Sequence, residues 1–151
     1  MLTIGIDPGN TGAIAFLADD GELNRVVDMP LMANGKKQQL NAAELTRILV
    51  GAAGNARAVV EKVGAMPGQG VSSMFNFGMG YGVIQGVLAA SGIPYTLVTP
   101  QKWKREAGLV GKDKDMARTL AQQLYPDAPL GRKKDIGRAD AILIARFGSR
   151  D

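Results

Sequence analysis

The chain has 151 residues, 46% of them apolar and 21% charged, enough for one real core and too few for two large lobes. It has no cysteine and no histidine, which excludes disulfides, thiolate or imidazole metal sites, and any mechanism built on a Ser–His or Cys–His pair. A net charge of +4 suits a polyanionic partner without demanding one, and any metal must be a hard cation held by oxygen.

No apolar run reaches the ~20 residues of a membrane span, and no basic stretch leads into an apolar one at the N-terminus. The expectation is a cytoplasmic protein with no membrane partner.

Residues 2–7, LTIGID, are alternating and β-branched and predict a first strand ending on Asp7. After a Pro-Gly-Asn turn comes a second run, TGAIAFLAD, and Asp20-Gly21 turns the chain into a third, LNRVVDMP. Three strands joined by tight turns form an antiparallel meander. ANGKKQQ, residues 33–39, is polar and reads as a loop. Asn41 caps a helix running to Val50, with Glu44 at the third helical position.

ARAVVEKV, residues 56–63, predicts a fourth strand that ends on Glu61. The glycine-rich loop GAMPGQGVSS follows, and Ser72 or Ser73 caps a helix over residues 74–90. Its glycines at 78, 82 and 86 form a smooth stripe suited to close packing against a sheet or another helix. IPYTLVTP is a fifth strand, and Pro100 opens a short helix, QKWKREAGL. Residues 112–124 make another helix and GRADAILIARFG, residues 137–148, the last. Without repeats, low-complexity tracts or linkers, residues 1–151 read as a single α/β domain. Its mixed sheet has three antiparallel strands plus two more, covered by helices.

Asp7 and Glu61 both end apolar strands, where an ionised carboxylate is costly unless paired or bound to a cation. A third acid, Asp140, sits in the apolar run ADAILIA, and Asp135 lies five residues before it. Each alone has a structural explanation: a turn residue at Asp7, a pair with Lys62 or an arginine for Glu61, a first-turn helix position for Asp140. Together they match the ligand set of Mg²⁺ or Mn²⁺. Two such ions ~4 Å apart activate water and stabilise a leaving oxygen in phosphodiester hydrolysis.

GIDPG, VVEKV and GRADAILIA, in that order and with FNFGMGYGVIQGVLAASGIPYTLVTPQKWK in the middle, resemble the RuvC-type Holliday junction resolvases of the RNase H-like superfamily, particularly their phage branch. The resemblance runs from residue 2 to about residue 148. It implies an RNase H-like fold and Mg²⁺-dependent (alternatively Mn²⁺-dependent) nicking of four-way DNA junctions, with two ions per site and 5′-phosphate and 3′-hydroxyl products. By resemblance Asp7 binds both metals, Glu61 is the fourth-strand glutamate and Asp140 the aspartate of the C-terminal helix. The family commonly carries another acid three residues before that aspartate; this chain has Gly137, which leaves Asp135 as the nearest substitute. Two paired cuts imply a homodimer, with the helix from Met74 to Ala90 as the candidate interface. A phage protein would work in the host cytoplasm.

Basic residues cluster at Lys102, Lys104, Arg105, Lys112 and Lys114, and again at Arg132, Lys133, Lys134 and Arg138. Lysine and arginine beside an acidic site fit a phosphate backbone entering it. Lys36 and Lys37 read as a solvated face, and Trp103, the only tryptophan, as a core or edge anchor. Family members carry an aromatic wedge just after the strand glutamate. Here Gly64 stands in that region, so Met66, Met74 or Phe75 takes that role.

Two other functions fit the same residues. One is an RNase H-like nuclease acting on flaps, other branched DNA or RNA–DNA hybrids; the other is a branched-DNA-binding protein without catalysis. An actin-like ATPase would need a second such domain, for which the chain is too short.

Overall fold

In the computed structural model, which describes residues 1–149, the first alternating run forms β1 (Leu2–Asp7). Its even positions, Ile4 and Ile6, pack on one face of the sheet, and Gly5 faces the other. β2 (Ala13–Leu17) and β3 (Leu23–Asp28) follow as an antiparallel meander, with a register shift between Phe16 and Leu17.

The polar run expected to be a loop holds the turn and the adjoining strand ends of a second, two-stranded sheet. β4 (Leu31–Asn34) pairs antiparallel with β5 (Lys37–Leu40), and Gly35 turns between them at φ +65°. Asn-Gly is a strong hairpin turn. Most of the hairpin is exposed, so no apolar alternation is needed to hold it.

α1 (Ala42–Val50) begins at the expected cap: the Asn41 side chain accepts the Glu44 backbone N–H at 3.1 Å. β6 (Ala56–Glu61) is the predicted fourth strand of the main sheet. α2 (Val71–Ala90) starts three residues before residue 74, behind Gly70 and with no side-chain cap. β7 (Tyr95–Val98) leads to α3 (Pro100–Ala107), where Thr99 accepts the Lys102 N–H and Pro100 opens the first turn. α4 (Asp115–Leu124) begins later than residue 112 because Asp113 accepts the N–H groups of Asp115 and Met116. A 3₁₀ turn at Lys133–Asp135 leads into α5 (Ile136–Phe147).

The main sheet has the order β3-β2-β1-β6-β7, with β6 parallel to β1 and β7 parallel to β6. This is the expected mixed five-stranded sheet. Ile4, Ile6, Ile14 and Val60 pack against α1 and α2; Ala13, Ala15 and Val59 pack against residues of α3, α4 and α5. α5 is the most buried helix, and it lies so close to β1 that a Cβ on Gly5 would come within 2.7 Å of the Ala145 Cβ. Among the described residues, no helix is long and apolar enough to cross a membrane. A Cβ placed on Gly78, Gly82 or Gly86 would meet nothing, so the glycine stripe packs against no described residue of this chain.

Candidate active site

β1 and β6 are neighbouring parallel strands in the register Ile6↔Val60, so Asp7 and Glu61 emerge side by side at their carboxyl ends. Both continue the strand face covered by α5, as Gly5 and Val59 do. Asp140 lies in the second turn of α5, over the same end of the sheet. The fold thus brings three of the four candidate carboxylates to one place.

The loop after Asp7 is shaped for this. Gly9 takes φ +105°, a conformation open to glycine, and its carbonyl accepts the Gly12 N–H at 3.1 Å. A side chain on Gly12 would strike the Asp7 carbonyl, and one on Gly137 would strike the carbonyl oxygen of Thr11. Gly137 is therefore the contact through which α5 seats on the β1–β2 turn. An acid at that position does not fit this backbone.

Asp135 does not join the three. Its carboxylate accepts the Arg132 backbone N–H at 2.8 Å and the Arg132 guanidinium at 2.8 Å, with Arg138 at 3.6 Å. The Arg132 hydrogen bonds, foremost, hold its carboxyl down at about 2. It lines a cleft on the far side of Thr11 with Arg132, Arg138 and Asp28, away from Asp7 and Asp140. The five-residue offset from Asp140 turns the two carboxylates apart, and the nearby arginines satisfy this one.

The electrostatics of the three convergent acids are the reverse. Asp7 is pushed up to about 8, first by burial and then by the charges of Asp140 and Glu61. Asp140 is pushed up to about 7, by burial and then by Glu61. Glu61 is raised mainly by burial, opposed by a 2.7 Å hydrogen bond from Trp103 Nε1–H to its Oε2 and by Lys104. Buried carboxylates that repel one another, and offer only hard oxygens, fit a divalent cation. Among the described residues, no three acidic side chains stand as a ready-made metal cage. Asp7 and Asp140 line a cleft of about 410 Å³, and Glu61, held by Trp103, lies behind it.

Five of the expected basic residues line that cleft: Lys104, Lys112, Lys114, Lys133 and Lys134. Lys104 is the cation felt by all three acids. Lys102 and Arg105 are not in the lining, and Arg132 is engaged by Asp135. Arg138 forms a two-pronged pair with Asp28, at 2.7 and 3.0 Å. Met66 and Phe75 are exposed, 63% and 70%, on the loop after β6 and the first turns of α2.

Three features lay beyond what the sequence signals. Trp103 is fully buried, as a core anchor would be, but its N–H is spent on Glu61. Thr11 stands at the junction of the lysine-lined cleft with a second one of about 500 Å³, walled by the hairpin, the 8–11 loop and α2. In that second cleft Asn10 and Asn76 both donate to the Gln38 carbonyl, at 3.0 and 3.4 Å. The Asn34-Gly35 pair was the available signal for its hairpin wall.

No protein-family model matches the chain. It is 35% identical over 91 residues to the chloroplastic Holliday junction resolvase MOC1 of Chlamydomonas reinhardtii. The match covers 58% of this chain and 10% of that protein, so the chain spans about a tenth of the length of this curated relative. Among solved structures, Thermus thermophilus RuvC in complex with a Holliday junction substrate superposes with a TM-score of 0.66 at 17% identity, covering 96% of this chain and 90% of that one. A second T. thermophilus RuvC structure gives 0.60 at 16% identity, over 99% and 98%. The chain has the RuvC-like, RNase H-like α/β fold.

Proposed function

We propose that the protein is a divalent-metal-dependent endodeoxyribonuclease that resolves four-way DNA junctions by paired symmetric nicks. The observation that carries this reading is the cleft itself: buried, mutually repelling Asp7 and Asp140, backed by Glu61, inside a ring of five lysines. The likeness to MOC1 and to junction-bound RuvC supports the choice of substrate.

Asp7, Glu61 and Asp140 would hold the cations, Mg²⁺ or alternatively Mn²⁺, two to a site. Bound there, they would supply an acidified water and charge stabilisation at the scissile phosphate. The chain supplies the rest. Lys104 offsets the acids, and Lys112, Lys114, Lys133 and Lys134 draw the phosphate backbone to a site that would otherwise repel it. Thr11 leads the strand onward into the hairpin-walled cleft, where the Asn10 and Asn76 amides and the Phe77 ring stand. Met66 or Phe75 serves as the apolar wedge. The exposed apolar positions of α2, Val71, Phe75 and Met79, support a homodimer through that helix.

The test is cleavage of a mobile four-way junction, a flap and an RNA–DNA hybrid in Mg²⁺ and Mn²⁺. Paired nicks confined to the junction support the proposal. Preference for the flap or hybrid moves the protein to the broader RNase H-like reading. Tight junction binding with no cleavage in either metal leaves a DNA-binding module.

A further inference from the structure

Trp103 is the chain's only tryptophan, and it is fully buried. A buried indole N–H needs an acceptor, and here the acceptor is Glu61 Oε2 at 2.7 Å. The bond joins two elements far apart in sequence: α3, set rigidly by the Thr99 cap and Pro100, and the last residue of β6. The next residue along, Lys104, faces the same three acids. A carboxylate with one oxygen tied to a fixed donor has lost most of its rotational freedom. Its second oxygen is the one left to offer.

We infer that Trp103 is a positioning residue: its indole N–H holds Glu61 Oε2 so that Oε1 alone is presented as a ligand to a divalent cation shared with Asp7 and Asp140. This rests on the metal-site reading above but does not depend on the nucleic-acid substrate. Donors that orient a metal ligand from behind are commonly worth ~10–100-fold in metal affinity. A role limited to packing would leave affinity where it was once the fold was intact. A contact that kept Glu61 away from the metal would make its loss tighten binding.

The experiment uses the full chain and Mn²⁺ alone as the probe. Bound Mn²⁺ is counted by electron paramagnetic resonance while the emission of Trp103 is followed. In the wild type, emission changes saturably with the same midpoint as Mn²⁺ binding, and Asp7→Asn abolishes the change. In Trp103→Phe, which keeps an aromatic ring but loses the N–H, the Kd for Mn²⁺ rises roughly tenfold or more. Its junction cleavage falls at low metal and recovers to within a few-fold of wild type at saturating metal.

A folded Trp103→Phe whose Kd stays within about twofold of wild type, or tightens, overturns the inference. Should that variant fail to fold, the wild-type titration decides. Bound Mn²⁺ with no emission change overturns the inference, and a coupled change upholds it. Coupled binding in a protein that cuts no junction upholds the inference and overturns the junction-resolving reading. A wild type that binds no Mn²⁺ overturns both.

Discussion

Asp7 is held in a place that does not suit it without a partner. Its carboxyl is buried beside two others and has no ion pair among the described residues, so the metal-free fold carries a local cost there. Asp7→Asn keeps the shape and removes the charge. Cleavage should fall by at least ~10²-fold, as when one electrostatic element of such a site is removed. Junction affinity should hold or rise, and the metal-free melting temperature should increase. Gel-shift, cleavage and thermal-melt measurements on one preparation check all three; a lower melting temperature would show that Asp7 is structurally satisfied after all.

Asp135 illustrates the opposite case. Its folded carboxyl sits at about 2, below the ordinary 3.8, because Arg132 holds the ionised form. As pH falls the unfolded chain takes up that proton first. The stabilisation is therefore complete above about pH 4 and is lost as pH drops towards 2. Asp135→Asn should lower stability at neutral pH by on the order of 1–2 kcal/mol. It should also flatten the acid limb of the stability curve, with less effect on Mn²⁺ binding than Asp7→Asn. Denaturant midpoints measured from pH 6 down to about 2.5 would test this.

Among the elements, α5 and the β1–β2 turn it rests on set the site. Gly137 lies against the Thr11 carbonyl, so Gly137→Ala must push α5 outward. A loss of roughly 1–3 kcal/mol is expected, the usual cost of overpacking, together with weaker metal binding because Asp140 moves with the helix. Unchanged stability would mean the turn yields instead. The lysines of the 3₁₀ turn behave differently, since they are exposed and no ion pair is seen for them among the described residues. Replacing Lys133 and Lys134 with alanine should change stability by no more than about 0.5 kcal/mol, read from thermal melts. The slope of log affinity against log salt should fall by about 0.9 for each phosphate that the variant no longer neutralises.

Those elements also show what a sequence reading can reach. Asp7 followed by Pro8 and Gly9, Asn41 before Glu44, and Pro100 ahead of QKWKREAGL are local signals, and the structure realises each as a strand end or a helix start. The hairpin at Leu31–Asn34 and Lys37–Leu40 was hidden because exposed strands carry no apolar alternation. The start of α2 at Val71 was hidden because no side chain caps it. Asp135 was misplaced as a site companion because chain distance to Asp140 says little about which arginine lies nearby.

Across the molecule as a whole, α2 presents an apolar face that no described residue of this chain covers. Val71 is 88% exposed and Phe75 70%, while the glycines beside them have open space. A second copy is the proposed cover. Val71→Glu with Met79→Glu, which leaves the wedge candidates untouched, should convert a dimer to a monomer in sedimentation equilibrium and turn paired junction nicks into single ones. A protein that is monomeric before substitution, yet still makes paired nicks, would move the symmetry of the reaction elsewhere.

The order of residues alone limits the chemistry open to this protein. Without histidine or cysteine only oxygen ligands remain, and the succession of strands, caps and carboxylates already points to the α/β class and to four candidate acids, Asp7, Glu61, Asp140 and Asp135. Which charges meet was settled by packing in three dimensions. Parallel pairing of β1 with β6 sets Asp7 beside Glu61, α5 lays Asp140 over them, and five lysines converge from three separate segments. The same packing turned Asp135 to Arg132 and gave the Trp103 N–H to Glu61. Local signals are written in neighbouring residues, whereas a buried charge takes its partner from whatever the packing of distant segments brings within reach.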